Sequence, residues 1–223
     1  MTRRFRLAEI AAIRSGFVPS AAEARRRREE DARLRLPTAG QHDGTVETDL
    51  GLQPGAIQTD GTIAWDGLVA IPPVRGVDRY AIQEGEVLLP LRSQRIHAVV
   101  ARGVPDRVLA TGQWALIAPD PVQVDAAYLA WYLNHPQTRA RLTGAMVGTS
   151  LQFLTLATVR DFEVELPDLS TQQRIGHVAE LTTWIAQLEK RLAAERQQLT
   201  DAVAMAVLDR AKGQFGRDSS SGS

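Results

Sequence analysis

Leu166-Pro167-Asp168-Leu169-Ser170-Thr171-Gln172-Gln173-Arg174-Ile175 is the stretch whose reading decides the fold. Ahead of it, Phe162, Val164 and Leu166 alternate with Glu163 and Glu165, the period-2 pattern of a half-buried strand. Pro167 has no N–H to give a sheet ladder, so the strand stops there. Ser170, with Gln173 three residues on, reads as a capping box in which the hydroxyl accepts from the Gln173 amide. Beyond it, no Pro and no Gly interrupts a helical pattern between His177 and Lys212. The expected organisation is a mixed domain over residues 1–169, a long helix over 170–212 and a flexible tail over 213–223.

Downstream of the junction, Val178, Leu181, Ile185, Leu188 and Leu192 recur at 3-4-3-4 spacing, the seam of a coiled coil. Glu195 takes the next seam position, and Leu199 restores the pattern before Ala202 and Ala206. A helix of about 42 residues spans roughly 63 Å at about 1.5 Å per residue. One small domain cannot cover that length, so the seam implies a partner helix.

Upstream, strand and helix patterns interleave. Leu7, Ile10, Ala11 and Ile13 form a short core segment that ends at Gly16. Ser20 with Glu23 starts a helix over 21–34 that carries Arg25 to Arg28, then Glu29, Glu30 and Asp31. That charge run reads either as a solvated helix with i,i+4 pairing or as a basic patch for a nucleic-acid backbone. Residues 37–61 are polar loop with at most a short strand. Strands are expected over 62–71, 87–89, 96–101 and 108–118, the last interrupted at Thr111-Gly112-Gln113. Asp125 caps a helix bearing Tyr128, Leu129, Trp131, Tyr132 and Leu133, an aromatic group that belongs to a core rather than to a base-stacking platform. Pro136 opens a further helix, ended by Gly144. The fold class is α+β, with a mixed or antiparallel sheet and flanking helices.

Composition narrows the function. At 223 residues the chain holds one ordinary domain and an extension. With no cysteine there is neither a disulfide framework nor a thiolate metal site. No apolar run suits a membrane span and no signal peptide opens the chain, so a soluble cytoplasmic protein is expected. The formal net charge of zero argues against a free-standing nonspecific nucleic-acid binder. Arginine is nonetheless used almost to the exclusion of lysine, which stands only at 190 and 212. That bias is either compositional or a choice of the planar fork that suits phosphate and guanine.

Recognisable catalytic chemistry is missing. The sequence has no G-x-x-x-x-G-K-[ST] loop and no N-P-P-Y or D-P-P-Y segment. Asp161, Glu163 and Glu165 have no lysine near them and read as the outer face of a strand. His42, His97, His135 and His177 have no metal-ligand spacing, and no nucleophile-elbow motif is present. The chain is expected to catalyse nothing by itself.

The junction resembles the L-P-x-L-x-x-Q-x-x-I segment that closes a target-recognition domain in the DNA specificity subunits of type I restriction-modification systems. The likeness extends through Gly85-Glu86-Val87-Leu88-Leu89, Tyr128-Leu129-Ala130-Trp131-Tyr132-Leu133-Asn134 and Val147-Gly148-Thr149-Ser150. The opening from Leu7 to Gly16 also fits, although many such openings have Gly-Asp where Ala8-Glu9 stands here. Members of that family usually carry two recognition domains and two helical spacers in tandem. This chain has half that length and no internal repeat, so the resemblance implies a half-subunit. It further implies double-stranded DNA as a partner, together with a methyltransferase subunit that brings S-adenosylmethionine and a translocating endonuclease subunit. A second copy, or another half-subunit, would dock along the helix through Val178, Leu181, Ile185, Leu188, Leu192 and Leu199. This chain itself is expected to hold no cofactor and no metal.

For base reading, two loops stand out. Arg92, Gln94 and Arg95 offer guanidinium and amide forks for guanine and adenine edges, with Ser93 as an adaptable donor. Thr149, Ser150 and Gln152 follow a glycine that lets backbone approach DNA closely. Arg75, Arg79, Arg102 and Arg107 are phosphate-contact candidates. Each of these taken singly also reads as an ordinary solvent-facing residue. A competing function is a non-DNA adaptor that docks a partner through the long helix, a reading that near-zero charge favours.

Overall fold

The computed structural model describes residues 2–17, 49–58, 61–71, 74, 76–92, 96–112, 114–149 and 152–218, the side chains of 209 and 211–218 aside. In chain order come β1 (Arg3–Arg6), α1 (Leu7–Ile10), β2 (Ala11–Ser15), β3 (Asp49–Leu52), β4 (Val69–Ile71), β5 (Val87–Pro90) and β6 (Val99–Val100). They are followed by β7 (Val108–Ala110), β8 (Trp114–Pro119), α2 (Ala126–Asn134), α3 (Pro136–Gly144), α4 (Leu156–Asp161), β9 (Glu163–Leu166) and α5 (Leu169–Asp218).

The central sheet is antiparallel with strand order β2-β8-β5-β6. It explains why Val87-Leu88-Leu89 and Trp114-Ala115-Leu116-Ile117 read as continuous apolar runs: both faces of these strands are covered. Val87, Leu89, Ala115 and Ile117 point to a core shared with Tyr128, Leu129 and Leu133 of α2, Leu142 of α3 and Val159 of α4. Leu88, Trp114 and Leu116 point the other way, to Leu52, Val108 and Ala110. Those partners belong to a three-stranded mixed sheet, β4-β3-β7, in which β3 runs antiparallel to β4 and parallel to β7. The fully buried Trp114 indole donates to the Leu52 carbonyl at 3.2 Å and ties the two sheets together.

Several expectations change here. The 108–118 run is two strands in two sheets, because Thr111 and Gly112 carry the chain from β7 across to β8. Residues 62–71 hold only β4, preceded by a 3-10 turn at Trp65–Gly67, and 96–101 hold only the two residues of β6. Asp161 is not on a strand face: it ends α4, a helix the sequence reading did not foresee. The expected helix over 21–34 lies outside the described residues. Asp125 does cap α2, accepting from the Tyr128 amide at 2.8 Å.

β9 pairs antiparallel with β1, Val164 opposite Phe5, so the two ends of the mixed domain close on each other. The cap of α5 is Asp168, not Ser170. The Asp168 carboxylate accepts from the Thr171 amide at 3.0 Å and the Thr171 hydroxyl at 2.8 Å, and the Ser170 hydroxyl donates to it at 2.5 Å. These three bonds hold the Asp168 carboxyl well below the ordinary carboxylate range. A carboxylate at the first turn of a helix outcompetes a hydroxyl because it also answers the helix dipole. α5 then runs six residues past Lys212. The chain divides into two compact units, Met1–Glu180 and Leu181–Ser223, so the opening turns of α5 belong to the body.

Candidate nucleic-acid interface

β5 leaves the central sheet at Pro90, paired there with Trp114 of β8. The next residue, Leu91, is buried, and its carbonyl accepts from the Leu154 amide at 2.8 Å. Arg92 follows and is exposed, its guanidinium lying 5.0 Å from the centroid of the Phe153 ring. The two loops nominated from sequence therefore meet. The second is a closed turn in which Val147 and Phe153 exchange both backbone hydrogen bonds, at 2.9 and 3.0 Å. Gly148 has φ of 107°, a conformation an L side chain rarely adopts, so the glycine is what lets the turn close. Thr149 and Gln152 are exposed on it. Ser93, Gln94, Arg95 and Ser150 lie outside the described residues.

The phosphate candidates are scattered and mostly engaged within the chain. Arg107 has φ of 59° and donates to Asp49 at 3.0 Å. Asp49 is a buried carboxylate that also accepts from the Val74 amide at 2.8 Å. Arg102 pairs with Glu180 of α5 at 2.8 Å. Arg79, on the 3-10 turn Val77–Arg79, is exposed, and its carbonyl accepts from the Arg14 guanidinium at 3.1 Å. Arg75 lies outside the described residues.

Residues the sequence reading did not assign to the site carry much of this geometry. Phe153 supplies the ring beneath Arg92, and its only signal was an aromatic placed next to Gln152. Arg14 reaches from β2 to the buried Glu86 with its two terminal guanidinium nitrogens, and Nη2 donates again to the Ala81 carbonyl at 2.6 Å. Glu86 also accepts from the Gln83 amide at 3.0 Å, so the Gly85 turn ahead of β5 is fixed from both sides. Tyr128 donates its hydroxyl to the Glu165 carbonyl at 2.5 Å and joins α2 to β9. Burial, with smaller contributions from Tyr132 and Glu165, pushes that phenol up to about 12, so it remains a donor. Burial, aided by the Arg139 charge, lowers His97 and favours its neutral form. Among the described residues no group of three or more His, Asp or Glu could hold a metal ion. No described helix is long and apolar enough to cross a membrane.

The exposed apolar residues of α5 form the second candidate surface. Leu181, Ile185, Leu188 and Leu192 are 43 to 52% exposed, and Val178 and Leu199 more so. Trp184, Val203, Met205, Val207 and Leu208 are also exposed beside the seam.

A mixed α+β body that ends in a long helix is the architecture of the S subunits of type I restriction-modification systems, and this chain shares their fold. One solved relative is a chain of a type I R-M system studied for complex assembly and conformational transition, matched with TM-score 0.57 and 19% identity over 94% of this chain. The S subunit from M. genitalium matches with TM-score 0.51 and 10% identity over 85% of this chain. The HsdS subunit from Thermoanaerobacter tengcongensis matches with TM-score 0.51 and 16% identity over the same share. This chain spans 45, 40 and 39% of those three chains, respectively. No protein-family profile and no curated protein matches the sequence.

Proposed function

We propose that this chain is a non-catalytic DNA sequence-recognition half-subunit, which pairs through α5 and directs a type I methyltransferase and restriction complex to a bipartite site. The observation that carries the reading is the fold shared with the solved S subunits, together with the exposed apolar seam of α5. Pairing through the exposed α5 seam brings a second body alongside the first, and a rigid helical length between two bodies sets the separation of half-sites. The Arg92 loop and the 147–153 turn, brought together at Phe153, read bases, and Arg79 contacts phosphate. S-adenosylmethionine belongs to the methyltransferase partner.

The test is to express the chain with its neighbouring methyltransferase and map methylated sites. Methylation at one bipartite sequence supports the reading, and no methylation with no shift of duplex DNA favours the adaptor. Within the reading, Arg92→Ala and Gln152→Ala lower discrimination between cognate and scrambled duplexes. Arg79→Ala weakens binding to both alike, whereas equal losses on both duplexes for all three variants would remove the assignment.

A further inference from the structure

We propose that Phe153 is a specificity-determining residue: its ring is the platform that holds the Arg92 guanidinium flat, so that the free N–H edge reads a guanine. The inference rests on the DNA-recognition reading above.

The first support is a division among the arginines. Arg4 bonds Glu165, Arg14 bonds Glu86, Arg102 bonds Glu180 and Arg107 bonds Asp49. Each of those guanidinium forks is occupied by a carboxylate of the same chain. Arg92 lies over an aromatic ring instead, and among the described residues no carboxylate pairs with it. Stacking uses the face of a guanidinium and leaves its donors, which lie in the plane, pointing outward. That is the geometry a bidentate bond to guanine O6 and N7 requires. Two other arginines lie over aromatic rings, with different surroundings. Arg141 over Phe162 also gives an N–H to the Glu163 carbonyl, and Arg3 lies over Phe5 of its own strand.

The second support is the backbone beneath the stack. Arg92 and Phe153 are each one residue from the Leu91–Leu154 hydrogen bond. Phe153 is held again by its paired bonds to Val147. Main chain from both loops therefore fixes the spacing of the two residues' backbones and places the Phe153 ring where the Arg92 side chain can lie on it before any ligand arrives. An exposed arginine without such a ring must be ordered on binding, which weakens discrimination.

The experiment uses the full chain with its methyltransferase partner. A duplex selected from a randomised pool is compared with a scrambled one by fluorescence anisotropy. Phe153→Leu keeps the apolar bulk and removes the ring face. It should lower the cognate-to-scrambled ratio about tenfold, within the range one bidentate base contact commands, while binding to the scrambled duplex stays constant. Phe153→Tyr should restore the ratio. Arg92→Lys, which keeps charge but not the planar fork, should lose it as Phe153→Leu does. The double variant Arg92→Ala with Phe153→Leu should be no worse than Arg92→Ala alone, and reselection should release the same single guanine position in each. Additive losses, different released positions, or a Phe153→Leu ratio equal to wild type would overturn the proposal. A wild-type complex with no sequence preference would overturn the recognition reading and this proposal with it, an outcome readily told apart from the others.

Discussion

Gln172 is the residue at which the body and the helix are joined. It is 1% exposed and uses its whole amide: the oxygen accepts from the Asp125 N–H at 3.1 Å, and the nitrogen donates to the Gln123 and Pro167 carbonyls at 3.1 and 2.9 Å. Gln172→Leu fits the space but strands those backbone groups. The expected cost is about 2 kcal/mol, read from urea unfolding of the full chain. Asp168 acts about one turn earlier, at the first bonds of α5, and its contribution depends on pH. Its folded pKa lies below the ordinary 3.8, so the stabilisation is complete above that value and is lost as pH falls through it toward the folded pKa. The difference in Tm between wild type and Asp168→Asn should therefore be constant above about pH 5 and shrink below 3.8. A difference that grows with acid would contradict the cap.

At the scale of elements, the close approach of α5 to the start of α2 depends on Gly176. A Cβ there would lie 2.5 Å from the Asp125 carboxylate, 2.8 Å from the Tyr128 nitrogen and 2.9 Å from the Ala127 Cβ. Helix propensity alone favours alanine by about 1 kcal/mol. The contact outweighs it, because backbone and a capping side chain cannot step aside. Gly176→Ala should destabilise the body by about 1–3 kcal/mol in a denaturant titration. A stabilised variant would show that the two helices are free to part. The same reasoning explains why the helix pattern reads as unbroken only from His177 onward: the glycine before it serves packing rather than termination.

At the scale of the whole molecule, the prediction concerns stoichiometry. With the seam of α5 exposed in the single chain, pairing is expected to bury Leu181, Ile185, Leu188 and Leu192. Leu188→Asp should convert the paired species to monomer in analytical ultracentrifugation and leave the thermal unfolding of the body unchanged. If two identical copies pair antiparallel, the half-sites they read are inverted repeats of one sequence. Methylation at an asymmetric site would instead require a different half-subunit as the companion. A chain that remains monomeric as wild type would remove the ruler from the proposed function.

What this sequence determined by itself is its local grammar. Alternation ended at Pro167 marks β9, the 3-4 spacing from Val178 marks the exposed apolar seam, Asp125 marks a cap, and Gly148 marks a tight turn. All of these follow from neighbours along the chain, through side-chain periodicity, a missing N–H or an acceptor three residues from an amide. Tertiary structure alone decided the rest. Which sheet each half of 108–118 joins, and that Phe153 lies under Arg92, depend on contacts between segments far apart in sequence. So does the commitment of Arg107 to Asp49 and of Arg102 to Glu180. An arginine looks the same in a sequence whether a carboxylate or an aromatic ring waits for it, and only the folded chain brings one or the other within reach.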